Sequence, residues 1–496
     1  MPQQITANNN FKEGLKGTTL FGGVQIYRII IAVVRSKVLA IFLGPIGVGV
    51  LGLLSSAIEF VYSLTSLGLG TSAVRDISEA NKEGNIHRLS YVSNVFKKLV
   101  WITGLLGMSI CLFFAPVISQ ITFGNHDYTF TFAVLSVILL FRMLSEGQNT
   151  LLQGTHNLRM MAKSNVWGNT FGLIITVPLY YFFGVRGIAP ALVLTYLINL
   201  LVSWYYSRKV KLENVHVTYR QALKDGKTML KLGGFLSLSG LIASLVPYII
   251  QVFIGNRGGL QDVGLYTAGF AIVNTYVGMV FTAMSTEYFP RLSSFVKDSE
   301  SFKTAINQQM EIAILLVAPL ICGFIIFSRI GILILYSKDF LAIEEMIYFA
   351  ILAIFFKTPS WCYSYAIIAK GDGKVFFITE MLFLVIQVLL FMGFYLWFGL
   401  TGIGVAFIIL YIYYLLQEWY VCRKRYGFSI YKDVIQTYLP HFVLCTCCLI
   451  TVLLCGQVFR YIIGGILVLI AVCYSFKKLD NKVDIRGFVQ SKINNK

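Results

Sequence analysis

Apolar runs of about twenty residues recur along nearly the whole chain, parted by short polar segments. About 20 helical residues cross the ~30 Å hydrocarbon core of a bilayer, and windows of that kind place fourteen spans. They run over 18–43, 46–72, 97–118, 129–154, 161–183, 187–206, 232–254, 262–287, 307–328, 343–369, 375–397, 401–421, 439–456 and 461–476. The pattern predicts an all-α polytopic membrane protein.

Inside the spans the polar residues are not scattered. On the second span Ser55, Glu59, Ser63 and Ser66 recur every three or four positions, with Tyr62 beside them, so one helical face is polar and the rest apolar. Similar stripes mark span 1 (Gln25, Arg28, Arg35), span 4 (Arg142, Glu146, Asn149, Gln153), span 7 (Ser237, Ser244, Gln251), span 8 (Asn274, Gly278, Ser285) and span 10 (Lys357, Ser360, Ser364). Faces like these avoid lipid, so the expectation is a central polar cleft walled by spans 1, 2, 4, 7, 8 and 10.

The two sets of three spans correspond because the chain repeats itself. "FFGVRGIAPALVLTYL" from Phe182 aligns with "WFGLTGIGVAFIILYI" from Trp397 at a shift of 215 residues. The same shift carries Arg142 onto Lys357 and Gly49 onto Gly264. An even number of spans separates the copies, which predicts two six-helix lobes in one orientation, related by a pseudo-two-fold axis along the membrane normal. The expected organisation is a lead at 1–17, an N-lobe at 18–216, a basic linker at 217–231 and a C-lobe at 232–421. A loop at 422–438, two further spans within 439–476 and a basic tail at 477–496 complete it.

Charge orients the array. Lys and Arg total 41 against 23 Asp and Glu. Of these, 31 lie in, or at the span edges beside, the segments on the side of the N-terminus, while 5 lie opposite. The positive-inside rule then puts both termini in the cytoplasm. Because the basic residues flank spans, they read as membrane topology and not as a nucleic-acid surface. "MPQQITANNN" lacks a basic n-region, so no signal peptide is expected. The nine cysteines lie in spans or at their inner ends, and "CTCC" at 445–448 reads as small packing residues rather than a metal or redox site.

The remaining five cations, Arg28, Arg35, Lys37, Arg142 and Lys357, fall inside spans. A charge at the bilayer centre costs roughly 2.5 to 3.5 kcal/mol even on the lenient insertion scale, so each needs water, a partner or a ligand. Arg28 and Arg35, seven residues apart, share a helical face to within about 20°. Lys37 points away from that face and can snorkel. Two deep carboxylates, Glu59 and Glu146, oppose four inward cations. Arg142 and Glu146 also have the spacing of an i,i+4 ion pair, and Glu59 could meet Arg28 or Arg35. The surplus of two positive charges suits a diphosphate, which arginine grips with two donors. Glu287, Glu311 and Glu380 are placed at hydrated inner helix ends and given no role.

The stretch "KVLAIFLGPIGVGVLGL" followed by "GLGTSAVRDI", with the duplicated six-span plan, resembles the Wzx-type O-antigen flippases of the multidrug/oligosaccharidyl-lipid/polysaccharide (MOP) exporter superfamily. That resemblance implies translocation of an undecaprenyl-diphosphate-linked oligosaccharide from the cytoplasmic to the periplasmic leaflet of a bacterial inner membrane by alternating access. It implies headgroup binding by Arg28, Arg35, Arg142 and Lys357, and a cleft lined by Gln25, Ser63, Asn149, Ser244, Gln251 and Asn274. Glu59 and Glu146 are candidates for ion-pairing or for coupling to a proton or sodium gradient. No cofactor and no metal are expected; the bilayer and polysaccharide polymerase machinery are the expected partners. Two readings compete with this one: a MATE-like drug or cation antiporter, and a non-transporting scaffold of a glycan assembly complex. A polymerase or ligase would need a sizeable outer catalytic loop, and the longest outer segment, 329–342, supplies only "RIGILILYSKDFLA". No Walker pattern is present.

Overall fold

A bilayer forces each backbone N–H and C=O to find its partner within its own segment or a closed barrel, and the described spans answer with helices. The computed structural model describes residues 2–483, and their side chains from Tyr27 onward except at positions 28, 232, 235, 236, 276, 277, 286, 482 and 483. Among the described residues there is no strand.

The first two expected spans form one kinked helix, α1 (Pro2–Ser66). After it come α2 (Leu69–Lys82), α3 (Ile86–Phe113), α4 (Ala115–Phe123), α5 (Thr129–Gly154), α6 (Leu158–Phe183) and α7 (Ile188–Ser207). The linker carries a short helix, α8 (Tyr219–Asp225), started by a capping box between Thr218 and Gln221. Next are α9 (Lys227–Ala271), a π-helical turn over Ile272–Val277, α10 (Gly278–Ser294), α11 (Ser299–Leu335), α12 (Glu344–Ala369) and α13 (Gly373–Tyr426). The chain closes with α14 (Lys432–Leu454) and α15 (Gln457–Val483). Asp298 caps α11, accepting from the N–H groups of Glu300 and Ser301 and from the Ser301 hydroxyl. Those hydrogen bonds hold its carboxyl below the usual carboxylate range.

The bends between consecutive spans repeat as the sequence does. Gly44 has φ 62°, ψ −174° and Gly259 has φ 79°, ψ −179°. Gly184 has φ 53°, ψ −131° and Gly399 has φ 59°, ψ −141°. Both pairs are 215 residues apart. Side chains exclude these backbone angles for all residues but glycine, so the duplication fixes where each pair of spans turns.

Contacts divide the chain into a first unit, Met1–Gly264, and a second, Leu265–Lys496. In the first unit, Gly49 meets the stretch from Leu260 to Gly264 backbone to backbone. A Cβ on Gly49 would lie 1.9 Å from the Leu260 carbonyl oxygen, and one on Gly264 would lie 1.8 Å from that of Pro45. Pro45 and Leu260 are themselves related by the 215-residue shift, so the crossing has the symmetry of the repeat.

In the second unit α11 is central: Ile321, Cys322, Ile325 and Ile326 are fully buried. Helices α14 and α15 pack on it, with Cys445 Sγ 3.7 Å from Cys322 Sγ. Gly464 leaves room for Ile326, whose Cδ1 would stand 2.4 Å from a Cβ there. Arg460, which the hydropathy pattern assigns to an outer loop, is instead 5% exposed. It donates to Glu344 and Tyr348, each at 2.7 Å, to the Ile326 carbonyl at 2.9 Å and to Ser328 Oγ at 2.9 Å. Glu311 is likewise buried, not hydrated. It accepts from Thr437 Oγ1 at 2.9 Å and stands 3.8 Å from Lys478 Nζ.

Candidate functional site

Within the first unit, α5 presents Arg142 and Glu146 one turn apart, and the segment of α1 after Pro45 presents Glu59 and Tyr62. The guanidinium grips Glu59 with two donors, Nη2 at 3.0 Å from Oε1 and Nη1 on Oε2, and Nε reaches Glu146 Oε1 at 3.1 Å. Its Cζ lies 3.8 Å from the Tyr62 ring centroid, and the Tyr62 hydroxyl donates to the second oxygen of Glu146. The arginine is largely covered while both carboxylates stay about half exposed, 17% against 47% and 49%. The cluster carries one net negative charge and turns its acidic side toward accessible space.

This accounts for Glu59 and Glu146, the two carboxylates the sequence places deep in the spans, through one cation. The i,i+4 pair forms as its spacing suggests, and Glu59 joins it across the helix interface rather than meeting Arg35. Arg35 is partly buried, and the buried hydroxyl of Tyr180 lacks a hydrogen-bond partner among the described residues. Gln25 and Arg28 lie outside the described side chains. Ser63 is partly buried, and the Asn149 amide oxygen is buried without a hydrogen-bond partner among the described residues. The Gln251 amide oxygen is in the same condition, while Ser244 back-bonds to the Leu241 carbonyl at 2.8 Å.

In the second unit Lys357 faces a cavity of about 190 Å³, whose walls include Ser360, Trp361, Ser364, Phe383 and Tyr411. Its ammonium sits 5.6 Å from the Phe281 ring centroid and 5.5 Å from that of Tyr411. Among the described residues it makes no ion pair. The 215-residue shift that superposes Lys357 on Arg142 superposes Asn274 on Glu59 and Trp361 on Glu146, so the second copy has lost both acids of the first. Asn274 is exposed and lies on the π-helical turn, whereas the matching stretch of α1 is regular α-helix. A π turn inserts a residue into the helical period and re-aims the side chains on it.

Three acids of this unit escape a reading based on span edges. Glu380 shares the Lys357 cavity and accepts from the Tyr414 hydroxyl, which also lies 3.3 Å from Ser364 Oγ. Glu418 is wholly buried, with one oxygen 3.4 Å from Gln417 Nε2 and the other without a hydrogen-bond partner among the described residues. Glu344 is covered by Arg460 and Arg329. Glu418 could have been found, because it falls inside the window 401–421.

A family model described as polysaccharide biosynthesis protein matches residues 38–345. The chain is 22% identical over 352 residues to a putative O-antigen transporter of Shigella flexneri, covering 70% of this chain and 82% of that one. It is 20% identical over 351 residues to the succinoglycan biosynthesis transport protein ExoT of Rhizobium meliloti, covering 69% and 66%. Among solved structures, an inward-facing multidrug resistance MATE family transporter of the MOP superfamily superposes with TM-score 0.66 at 19% identity, covering 82% of this chain and 94% of that one. Lipid II flippase MurJ, inward closed, gives 0.63 at 15% identity, covering 87% and 97%. The fold is that of multi-pass transporters and flippases.

Proposed function

The chain belongs to the polysaccharide biosynthesis protein family, and from that premise we propose that it is a flippase for a prenyl-diphosphate-linked oligosaccharide, an O-antigen or related repeat unit on undecaprenyl diphosphate. The proposed direction is from the cytoplasmic to the periplasmic leaflet of a bacterial inner membrane, with both termini cytoplasmic. The carrying observation is Lys357, a span cation without a direct ion pair among the described residues, in a cavity of hydroxyls, aromatic rings and one carboxylate, Glu380. A phosphate oxygen answers the charge, and rings and hydroxyls suit sugar. Arg35 and Arg28 on the first span add the further positive charge a diphosphate needs. Arg142 contributes less to that charge, because Glu59 and Glu146 already neutralise it.

In this mechanism the lobes rock about the bound headgroup while the prenyl chain stays in lipid. An inside-negative potential favours outward passage of an anion by about 2.3 kcal/mol per charge per 100 mV. The acidic face of the Arg142 cluster supplies a place where a proton or sodium ion could load during the cycle. No organic cofactor is invoked, and polysaccharide polymerase machinery is the natural recipient of the product.

The second reading, drug or cation antiport, draws on the same net-negative cluster and on the MATE likeness. Proteoliposomes separate the two. A labelled prenyl-diphosphate sugar added to one leaflet becomes accessible in the other if the flippase reading holds, and Lys357→Gln slows this about tenfold or more. Proton-driven uptake of a cationic dye without sugar translocation would favour antiport. A scaffold would move neither.

A further inference from the structure

The polar stripe of α5, Arg142, Glu146, Asn149 and Gln153, occupies one side of the helix. The opposite side, by the 3.6-residue period, forms the wall of a second and larger cavity. It measures about 650 Å³ and lies between α3, α5 and α7. Its interior is apolar, with Phe96, Val100, Leu140, Leu144 and Leu200 among the lining. Its charged lining residues are Lys97 and Arg208, both exposed, and no Asp or Glu lines it. Among the described residues neither cation makes an ion pair; the Arg208 guanidinium rests 4.9 Å from the Trp204 ring centroid. Trp101 and Trp204, 36% and 51% exposed, also line the cavity. Ser93 contributes a buried hydroxyl without a hydrogen-bond partner among the described residues.

Tryptophan beside lysine and arginine at a helix end marks the level of lipid headgroups. A cavity of this volume takes a molecule of several hundred Å³, and its lining is mostly apolar, with Asn94, Gln148 and Ser207 already hydrogen-bonded within the protein, two cations without an ion pair among the described residues and one spare hydroxyl, that of Ser93. We propose that it holds one anionic phospholipid from the leaflet flanking the basic ends of α3 and α7. One acyl chain fills the space between the three helices. The phosphate sits between Lys97 and Arg208, where both cations can donate to its oxygens. A zwitterionic lipid could insert its chain but would gain less from the cations, because its own ammonium opposes them. The site lies on the face of α5 turned away from Arg142, so a resident lipid braces the helix that carries the acidic cluster without entering the polar stripe.

The test is native mass spectrometry of the full-length protein in detergent, titrated with phosphatidylglycerol or phosphatidylcholine. The expected result is one tightly retained phosphatidylglycerol and weaker phosphatidylcholine. A basic residue near an anionic headgroup contributes roughly fivefold, so Lys97→Ala with Arg208→Ala should weaken phosphatidylglycerol about twentyfold and phosphatidylcholine far less. Both residues are on the surface, so the double variant folds. Leu144→Trp, which fills the cavity, should lower retention of both lipids. Equal retention of the two lipids by the unaltered protein, or a phosphatidylglycerol affinity indifferent to the double substitution, overturns the proposal. Displacement of phosphatidylglycerol by undecaprenyl phosphate at matched concentration also overturns it and reassigns the cavity to a prenyl chain.

Discussion

Arg142 and Glu59 stand 83 residues apart in the chain and meet as a two-pronged ion pair, which Glu146 extends on the guanidinium's third edge. Because both carboxylates are about half exposed, solvent screening keeps each pair weak, near 1 kcal/mol. Glu59→Gln and Arg142→Gln should each lower the thermal midpoint in detergent. The double variant should fall short of the sum by about 1 kcal/mol. Strict additivity would mean the pair contributes nothing.

If the cluster also loads a proton or sodium ion, Glu146→Gln separates structure from coupling. A purely structural Glu146 predicts transport with its pH or sodium dependence intact. A coupling Glu146 predicts transport that persists but no longer responds to the gradient, read in proteoliposomes with imposed pH or sodium differences.

Lys357 makes no direct ion pair among the described residues and shares its cavity with Glu380. Removing one charge-assisted contact to phosphate costs roughly 1.5 to 3 kcal/mol. Lys357→Gln should therefore reduce translocation of a prenyl-diphosphate sugar by about tenfold or more, with the thermal midpoint nearly unchanged, while Lys357→Arg retains much of it. Equal activity in Lys357→Gln would remove the headgroup role.

The spans were legible because bilayer thickness imposes a length on every apolar run, and the duplication was legible because aligned glycines survive where a turn admits no other residue. Gly184 and Gly399 stand in the aligned segments themselves, and the same 215-residue shift carries Gly44 onto Gly259. The partners of charged residues were not legible. Counting charges leaves two cations in surplus, but it cannot say that Arg142 takes both acids or that Glu380 opens into the Lys357 cavity, since both facts depend on helix rotation. Arg460 was misplaced for a related reason: a hydropathy window ends a span at a charge, even where helix carbonyls and an acid wait to receive it.

That arginine makes a sharp stability prediction. Arg460 and Glu344 are covered to 6% and 13% side-chain exposure, and removing one partner of a buried pair typically costs 3 to 5 kcal/mol because the other charge is stranded. Arg460→Met should lower the thermal midpoint strongly and loosen α15, read as faster hydrogen exchange over 457–481. Arg329 gives Glu344 a second cation at 3.5 Å, which puts the expected loss at the low end of that range. Adding Glu344→Gln should recover part of it; a double variant worse than the single would argue against stranded charge.

The crossing at Gly49 and Gly264 leaves no volume for a methyl group, because each ideal Cβ falls within 2 Å of a backbone carbonyl oxygen. Backbone cannot yield as a side-chain tip can, so Gly49→Ala or Gly264→Ala must push two helices apart. Overpacking of this kind costs about 1 to 3 kcal/mol, and a clash with backbone puts it at the upper end. Gly323→Ala in α11, where a Cβ meets nothing within 4 Å, is the control and should be neutral or stabilising by about 0.4 to 1 kcal/mol. Thermal unfolding of the three purified variants decides the matter. If Gly49→Ala and Gly264→Ala both match Gly323→Ala, the helices do not cross this closely, and the symmetric contact between the two copies of the repeat is absent from the molecule.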